Sequence, residues 1–325
     1  MNHAICLGEI LIDCFSQQPG LPRSEVTDWV PLPGGASASI ACALARLGNS
    51  VEFVGAVGKD RWGGALVKLL TDMQVGSQGV QYRLKAPTRE VYVTQDEQGH
   101  SAFAGFSESD PAIFADAHLF SGALAEDSFK DACVLVLGAL SLAYPDTGES
   151  VQEAVRLAGY HNLWIMVDVN WRPMFWSKPA EAPGRIYDLL QKTHFLKVST
   201  EEANWLFGTV SAKAIAHQLP HLKGVLVTDA VKGCEYCFHA DDGEFNGKVT
   251  GFVVDIEDAA GASEAFTAGF VHQLMQKGIN CMTDEDTAHR TVTYASATSA
   301  LTMTRPGAIA ALPTPNEIEV FLYLN

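Results

Sequence analysis

Asp258-Ala259-Ala260-Gly261-Ala262-Ser263-Glu264-Ala265-Phe266-Thr267-Ala268-Gly269-Phe270 places small residues and a glycine at the start of a helical pattern that runs to Gln276. Free backbone N–H groups at such a helix start, with the helix dipole behind them, suit an oxyanion or a phosphate. A carboxylate in the first turn, Glu264, stands where it can take a proton from a hydroxyl held nearby. An ordinary loop-to-helix junction with a dipole-compensating acid has the same composition. The segment alone leaves both readings open.

Upstream of it, strands and helices alternate. Residues 4–13 read as one buried strand ending in Asp13, and Gly34-Gly35 opens a helix of small residues over 36–47. Further strands are predicted over 51–58, 133–138, 163–170, 195–198 and 224–228. Helices are predicted over 62–73, 147–158 with a cap near Asp146, 184–192 and 200–207. The strands are too apolar for a one-sided sheet, which argues for a parallel sheet covered by helices on both faces. Two segments break the alternation. Residues 14–33 carry Pro19, Gly20, Pro22, Pro31 and Pro33, and 88–106 read as a hairpin turning across Gln95–Gly99. They are expected to form a small β lid (14–33 and 88–106) on a main domain built from 1–13, 34–87 and 107–325.

In such folds ligands gather at the carboxyl ends of the strands. The polar residues expected on that rim are Asp13, Asp168, Asn170, Arg172, Ser199, Glu201, Glu202, Thr228 and Asp229. Wet βα loops are polar for their own reasons, so it is the joint pattern that points to a site.

Composition narrows the functions. At 325 residues the chain allows two domains or one large one at roughly 150 residues each. Lys and Arg number 22 against 38 Asp and Glu, a net charge of −16, which argues against nucleic acid or an anionic membrane as partner. No apolar run approaches the roughly 18 residues of a membrane span. Residues 1–13 lack a basic region and a cleavage site, so a cytoplasmic location is expected. The seven cysteines are scattered, as expected of reduced thiols. Cys234-Glu235-Tyr236-Cys237 has no second ligand pair for zinc and alternates like a strand, so both thiols are expected to be structural. The ten histidines show no metal spacing. No Gly-x-Ser-x-Gly elbow and no Gly-x-Gly-x-x-Gly after the first strand speak for a hydrolase or a nicotinamide enzyme.

With these segments in order, the chain resembles the ribokinase-like (PfkB) carbohydrate kinases, and fructokinases among them most closely. The resemblance rests on Gly8-Glu9-Ile10-Leu11-Ile12-Asp13, Gly34-Gly35-Ala36-Ser37-Ala38-Ser39-Ile40-Ala41, Ala45-Arg46-Leu47-Gly48 and Gly58-Lys59-Asp60-Arg61-Trp62-Gly63. It continues through Asp168-Val169-Asn170-Trp171-Arg172-Pro173, Lys197-Val198-Ser199-Thr200-Glu201-Glu202, the 258–270 segment and Thr304-Arg305-Pro306-Gly307-Ala308. It implies a three-layer α/β/α fold with a mostly parallel sheet and a small β-sheet lid. A sugar would lie under the lid, with ATP and Mg²⁺ along the rim.

Carried over by position, the resemblance implies Glu264 as general base and Gly261, Ala262, Ser263 and Arg172 around the transferred group. It implies Asp13, Gly34, Gly35, Ser39 and Asn170 for the sugar, and Lys197, Thr228, Ala230 and Gly233 for the nucleotide. Glu202 would act on the metal through water. The family's Gly-Ala-Gly-Asp is here Gly261-Ala262-Ser263-Glu264, and Ala259, Ser39, Ser199 and Ala230 replace a threonine, an amide, an asparagine and a glycine. Two functions follow. One is ATP-dependent phosphorylation of fructose to fructose 6-phosphate with Glu264 as base. The other is a kinase-fold protein with weak or no turnover, acting as a sugar-binding or assembly partner. A half-exposed lid hairpin with Tyr92, Phe103 and Phe106 either pairs with a copy of itself to give a homodimer through sheet edges or presents a face that simply covers the sugar.

Overall fold

The first apolar run does not stay in one sheet. Strand β1 (His3–Leu7) ends before Gly8, and the chain re-enters extended structure as β2 (Leu11–Ser16) in a second sheet. Asp13 therefore lies inside a strand of the small sheet, opposite Leu32 and Val91, and does not close the first strand of the large one. Hydrophobicity hides this break, because residues on both sides of it are buried. The break is anchored by Glu9, whose carboxylate turns inward. Its Oε1 accepts from the Ala36 and Ser37 amides at 2.6 and 3.2 Å.

The computed structural model describes residues 3–97, 101–229, 232–240 and 243–325. After β3 (Trp29–Gly34) come α1 (Ala36–Arg46), β4 (Val51–Gly58), α2 (Arg61–Asp72), β5 (Val80–Arg83), β6 (Glu90–Gln95) and β7 (Ser101–Phe106). The main body continues with α3 (Glu126–Lys130), β8 (Ala132–Gly138), α4 (Pro145–Tyr160), β9 (Trp164–Asp168), α5 (Ala182–Leu190), β10 (Phe195–Ser199) and α6 (Thr200–Phe207). It closes with α7 (Ala212–Gln218), β11 (Gly224–Asp229), β12 (Gly233–Ala240), β13 (Gly243–Val249), α8 (Ala262–Lys277), α9 (Glu285–Met303) and α10 (Pro315–Leu324).

Among the described residues the large sheet has nine strands in the order β13-β12-β11-β10-β9-β8-β1-β4-β5, and the small one has four, β3-β2-β6-β7. Pairs from β5 to β11 are parallel, and only β12 and β13 run antiparallel at one edge. One core cluster packs α4 to α7 on one face, and the other packs α1, α2 and α8 to α10 on the opposite face. This is the three-layer fold with a small second sheet that the sequence implies. Among the described residues no helix is long and apolar enough to cross a membrane.

Several elements escape the sequence reading. Strand β13 is a polar edge strand, and α9 is rich in threonine and almost uniformly buried on its inner turns, so neither carries a clear period. Asp146 does not cap α4. Tyr144 holds the cap position, and the Asp146 carboxylate instead lies 3.0 Å from His118. The turn expected across Gln95–Gly99 reaches residues outside the described ones.

Of the hairpin aromatics, Phe106 is buried against Phe114 and Phe175. Beneath it sits Arg89, fully buried just before β6. Its Nε and Nη2 reach Asp116 at 2.8 and 2.9 Å, and Nη2 also reaches the Tyr144 hydroxyl at 3.0 Å. The guanidinium also lies 4.4 Å from the Phe114 ring and 5.0 Å from that of Phe175. This buried cation pins the base of the small sheet to the large one.

Gly35 has a positive φ of 99°, and a Cβ there would come within 2.6 Å of the Glu9 carbonyl oxygen. The obstacle is backbone and cannot swing aside. Gly35→Ala is expected to lower stability by about 2–3 kcal/mol through this strain, read from the urea midpoint.

Candidate active site

Two pockets meet at the first turn of α8. The larger, a cleft of about 470 Å³, lies between the small sheet and the rim of the large one. Strand β2 supplies Asp13 from above, and the β3–α1 junction supplies Gly34, Gly35 and Ser39. The segment after β9 supplies Asn170 and Arg172, and α8 supplies Gly261 and Glu264. Val91 and Phe103 of the small sheet cover the opening. The residues expected around a sugar thus share one cleft, although Asp13 reaches it from the small sheet.

The second pocket, about 190 Å³, lies on the other side of that turn, lined by Ser199, Thr228, Gly233, Phe252, Ala262 and Ser263 among others. Of the residues expected at a nucleotide, Thr228 and Gly233 border it. Ala230 lies outside the described residues. Lys197 borders neither pocket and is buried beneath the turn.

The turn itself is held from below. Lys197 Nζ donates to both Asp168 oxygens at 3.0 and 3.2 Å and makes a very short hydrogen bond to Ser263 Oγ. Thr267, one turn along α8, donates to Asp168 Oδ2 at 2.7 Å. Burial works against the lysine's charge, yet Asp168, ahead of Glu202 and Glu264, holds its pKa above the ordinary lysine value. The Ser263 hydroxyl is therefore drawn down toward the sheet and does not fill the turn. Gly261 caps α8 in the left-handed region at φ 80°, with no side-chain cap bond. A Cβ on Gly261 would meet Ala308 Cα at 2.8 Å. Asp258 ties the two neighbouring loops together by accepting from the Ala260 and Gly307 amides at 2.9 and 2.8 Å.

The other wall is organised by Glu202. Its oxygens accept from the Trp171 amide at 2.5 Å and the Ser199 amide at 2.8 Å, while Ser199 Oγ caps α6 in return. The carboxylate thus fixes the ends of β9 and β10. Asn170 takes a left-handed φ of 43°, which asparagine tolerates better than most residues, and its Nδ2 lies 3.5 Å from Glu264 Oε1. Asp258 and the Glu202 bond to Trp171 escape the sequence reading, whereas the Ser199–Glu202 capping box carries the Ser-x-x-Glu spacing of a helix start, where the sequence places Glu202.

The cleft gathers more carboxylates than cations. Burial raises Asp13 to about 7, the Glu264 charge adds to the rise, and Arg172 opposes it. Burial and then Asp168 push Glu264 above the usual carboxylate range, against Lys197 and Arg172. Burial likewise raises Glu9.

The sequence description of the pfkB family carbohydrate kinases matches residues 1–315. The chain belongs to that family. This family member is 31% identical to fructokinase-2 of Zea mays over 317 residues, covering 96% of this chain and 92% of the maize protein. Its fold matches a fructokinase from Xylella fastidiosa solved with bound ATP, with a TM-score of 0.88 and 29% identity over 99% of this chain and 98% of that one. A fructokinase from Vibrio cholerae O395, solved with fructose, ADP and calcium ion, matches with a TM-score of 0.83 at 27% identity, over 99% of each chain.

The electrostatics of this carbohydrate-kinase cleft make a stability prediction. Asp13 titrates near 7 in the fold against an ordinary 3.8, so the folded state holds the proton longer than the unfolded chain. The resulting penalty is absent below the ordinary value, grows between it and 7, and is complete above. Asp13→Asn is therefore expected to raise Tm more at pH 8 than at pH 4. Equal shifts at both pH values would refute the assignment.

Proposed function

We propose that the protein transfers the γ-phosphoryl group of ATP to the 6-hydroxyl of fructose, giving fructose 6-phosphate and ADP. The observation that carries this reading is the uncapped first turn of α8 between the two pockets. Gly261 and Glu264 face the cleft, and Ala262 and Ser263 face the smaller pocket. Fructose is favoured over other sugars by the fructokinases among the relatives, and ATP by the nucleotides in the similar solved structures.

In this mechanism Asp13 and Asn170 accept and donate hydrogen bonds to sugar hydroxyls, and Val91 and Phe103 shield them from water. Glu264 takes the proton of the attacking hydroxyl. The hydroxyl oxygen then bonds to the γ-phosphorus as the bond to the β-bridging oxygen breaks and ADP leaves. Amides of the Gly261–Ser263 turn and the Arg172 guanidinium neutralise charge on the transferred group. Relative to an aspartate, Glu264 carries one more methylene, and the open cleft gives it room to reach the hydroxyl. Mg²⁺ accompanying the nucleotide would screen phosphate charge. The donors near that pocket fit it, being all oxygen: the Ser199 and Thr228 hydroxyls, with Glu202 acting through water.

The test is ADP release by the purified protein with fructose and Mg·ATP, alongside thermal shift with each ligand alone. Fructose-dependent ADP release is expected. Glu264→Gln should lower kcat by about 10²- to 10⁴-fold while changing KM for fructose little. Stabilisation by fructose without ADP release would instead make the protein a sugar-binding module.

A further inference from the structure

The edge hairpin formed by β12 and β13 carries a second cluster that sugar phosphorylation does not use. Cys237 and His239 are two residues apart on β12 and share one face, and Glu244 of β13 lies directly across from His239. One ligand atom each from Cys237, His239 and Glu244 lie within 4.8 Å of one another. Helix α7 covers this face. Its start is fixed by Glu235, which accepts from Ser211 Oγ at 3.0 Å and the Ala212 amide at 2.9 Å. That docking brings His217 Nε2 to 2.6 Å from Glu244 Oε2.

The hydrogen bonds fix which atoms are free. His239 Nδ1 lies 2.9 Å from the Leu222 carbonyl oxygen, which can only accept, so Nδ1 carries the hydrogen. In the neutral ring the Nε2 lone pair then points at Glu244 Oε2, 3.4 Å away. Lys213 Nζ holds the other carboxylate oxygen at 2.9 Å, and Asn246 Nδ2 lies 3.5 Å from it. Both imidazole nitrogens thus reach one carboxylate oxygen with the Cys237 thiol close by, Leu222 orients the His239 ring, and Lys213 and Asn246 hold the carboxylate from behind. As they stand these groups are joined by hydrogen bonds, and outer partners of this kind are usual around metal-binding histidines and carboxylates.

We propose that Cys237, His239, Glu244 and His217 form a binding site for a thiophilic divalent cation, and that the donor set of one sulfur, two imidazole nitrogens and one carboxylate oxygen selects Zn²⁺ in tetrahedral geometry. Binding exchanges the Cys237 thiol proton for the metal and staples α7 to the sheet edge. Cys234 takes no part. Three residues away on a strand, it faces the opposite side of the sheet, and it packs in the other core cluster.

The test uses the full chain, freed of metal with chelator and titrated with Zn²⁺ and with Co²⁺. One equivalent of zinc per chain and a raised Tm are expected. Cobalt should give a thiolate-to-metal charge-transfer band, which Cys237→Ser abolishes and Cys133→Ser leaves unchanged. His217→Ala, at a largely exposed side chain, should weaken zinc at least about tenfold. Absence of zinc binding, a charge-transfer band that survives Cys237→Ser, or undiminished zinc affinity in His217→Ala would each overturn the proposal.

Discussion

The ion pair between Lys197 and Asp168 sets the position of everything around the cleft. Both side chains are almost wholly buried, on adjacent parallel strands with Asp168 ending β9 and Lys197 within β10, and neither charge could stay there alone. Removing one partner of such a pair typically costs about 3–5 kcal/mol, because the other charge is left without compensation. Here each partner also binds α8, Lys197 through Ser263 and Asp168 through Thr267. The start of the helix is thereby seated on the carboxyl edge of the sheet at a fixed height. The two pockets exist on either side of it because it cannot settle lower or tilt.

The chain carries a net charge of −16, and the pair beneath the turn adds nothing to it, since Asp168 balances the Lys197 ammonium. What positive potential the turn has is that of the α8 start, which carries no side-chain cap. Around the cleft, Glu9, Asp13 and Glu264 are all pushed toward the neutral form by burial. Arg172, exposed at the mouth, is the charge that opposes this shift at Asp13 and Glu264. The Ser263 hydroxyl is spent on Lys197. In this protein that hydroxyl serves the support beneath the turn.

The small sheet depends on a second buried cation. Arg89 meets Asp116, Tyr144 and a ring of phenylalanines where the two sheets join. Glu9 does comparable work on the neighbouring crossing by capping α1. Both tie a segment that leaves the large sheet back to its body. Asp13 owes its place over the cleft to these two anchors as much as to its own strand.

Alternation of strands and helices, the small-residue helix start at 258–270 and the cluster of polar residues after β9, β10 and β11 are legible in the sequence, because periodicity and backbone preference act over a few neighbouring residues. The break at Gly8 is not, since both sides of it are equally apolar. Nor is the station of Lys197, which follows from partners at positions 168 and 263, or the contact between Asn170 and Glu264, 94 residues apart in the chain. Cys234 and Cys237 are the strand thiols that the alternation implies, on opposite faces, whereas the approach of His217, His239 and Glu244 from three separate elements leaves no mark in the sequence. Local order could be read along the chain, whereas the meeting of charges and ligands across it was decided only when burial forced each polar group to find a partner.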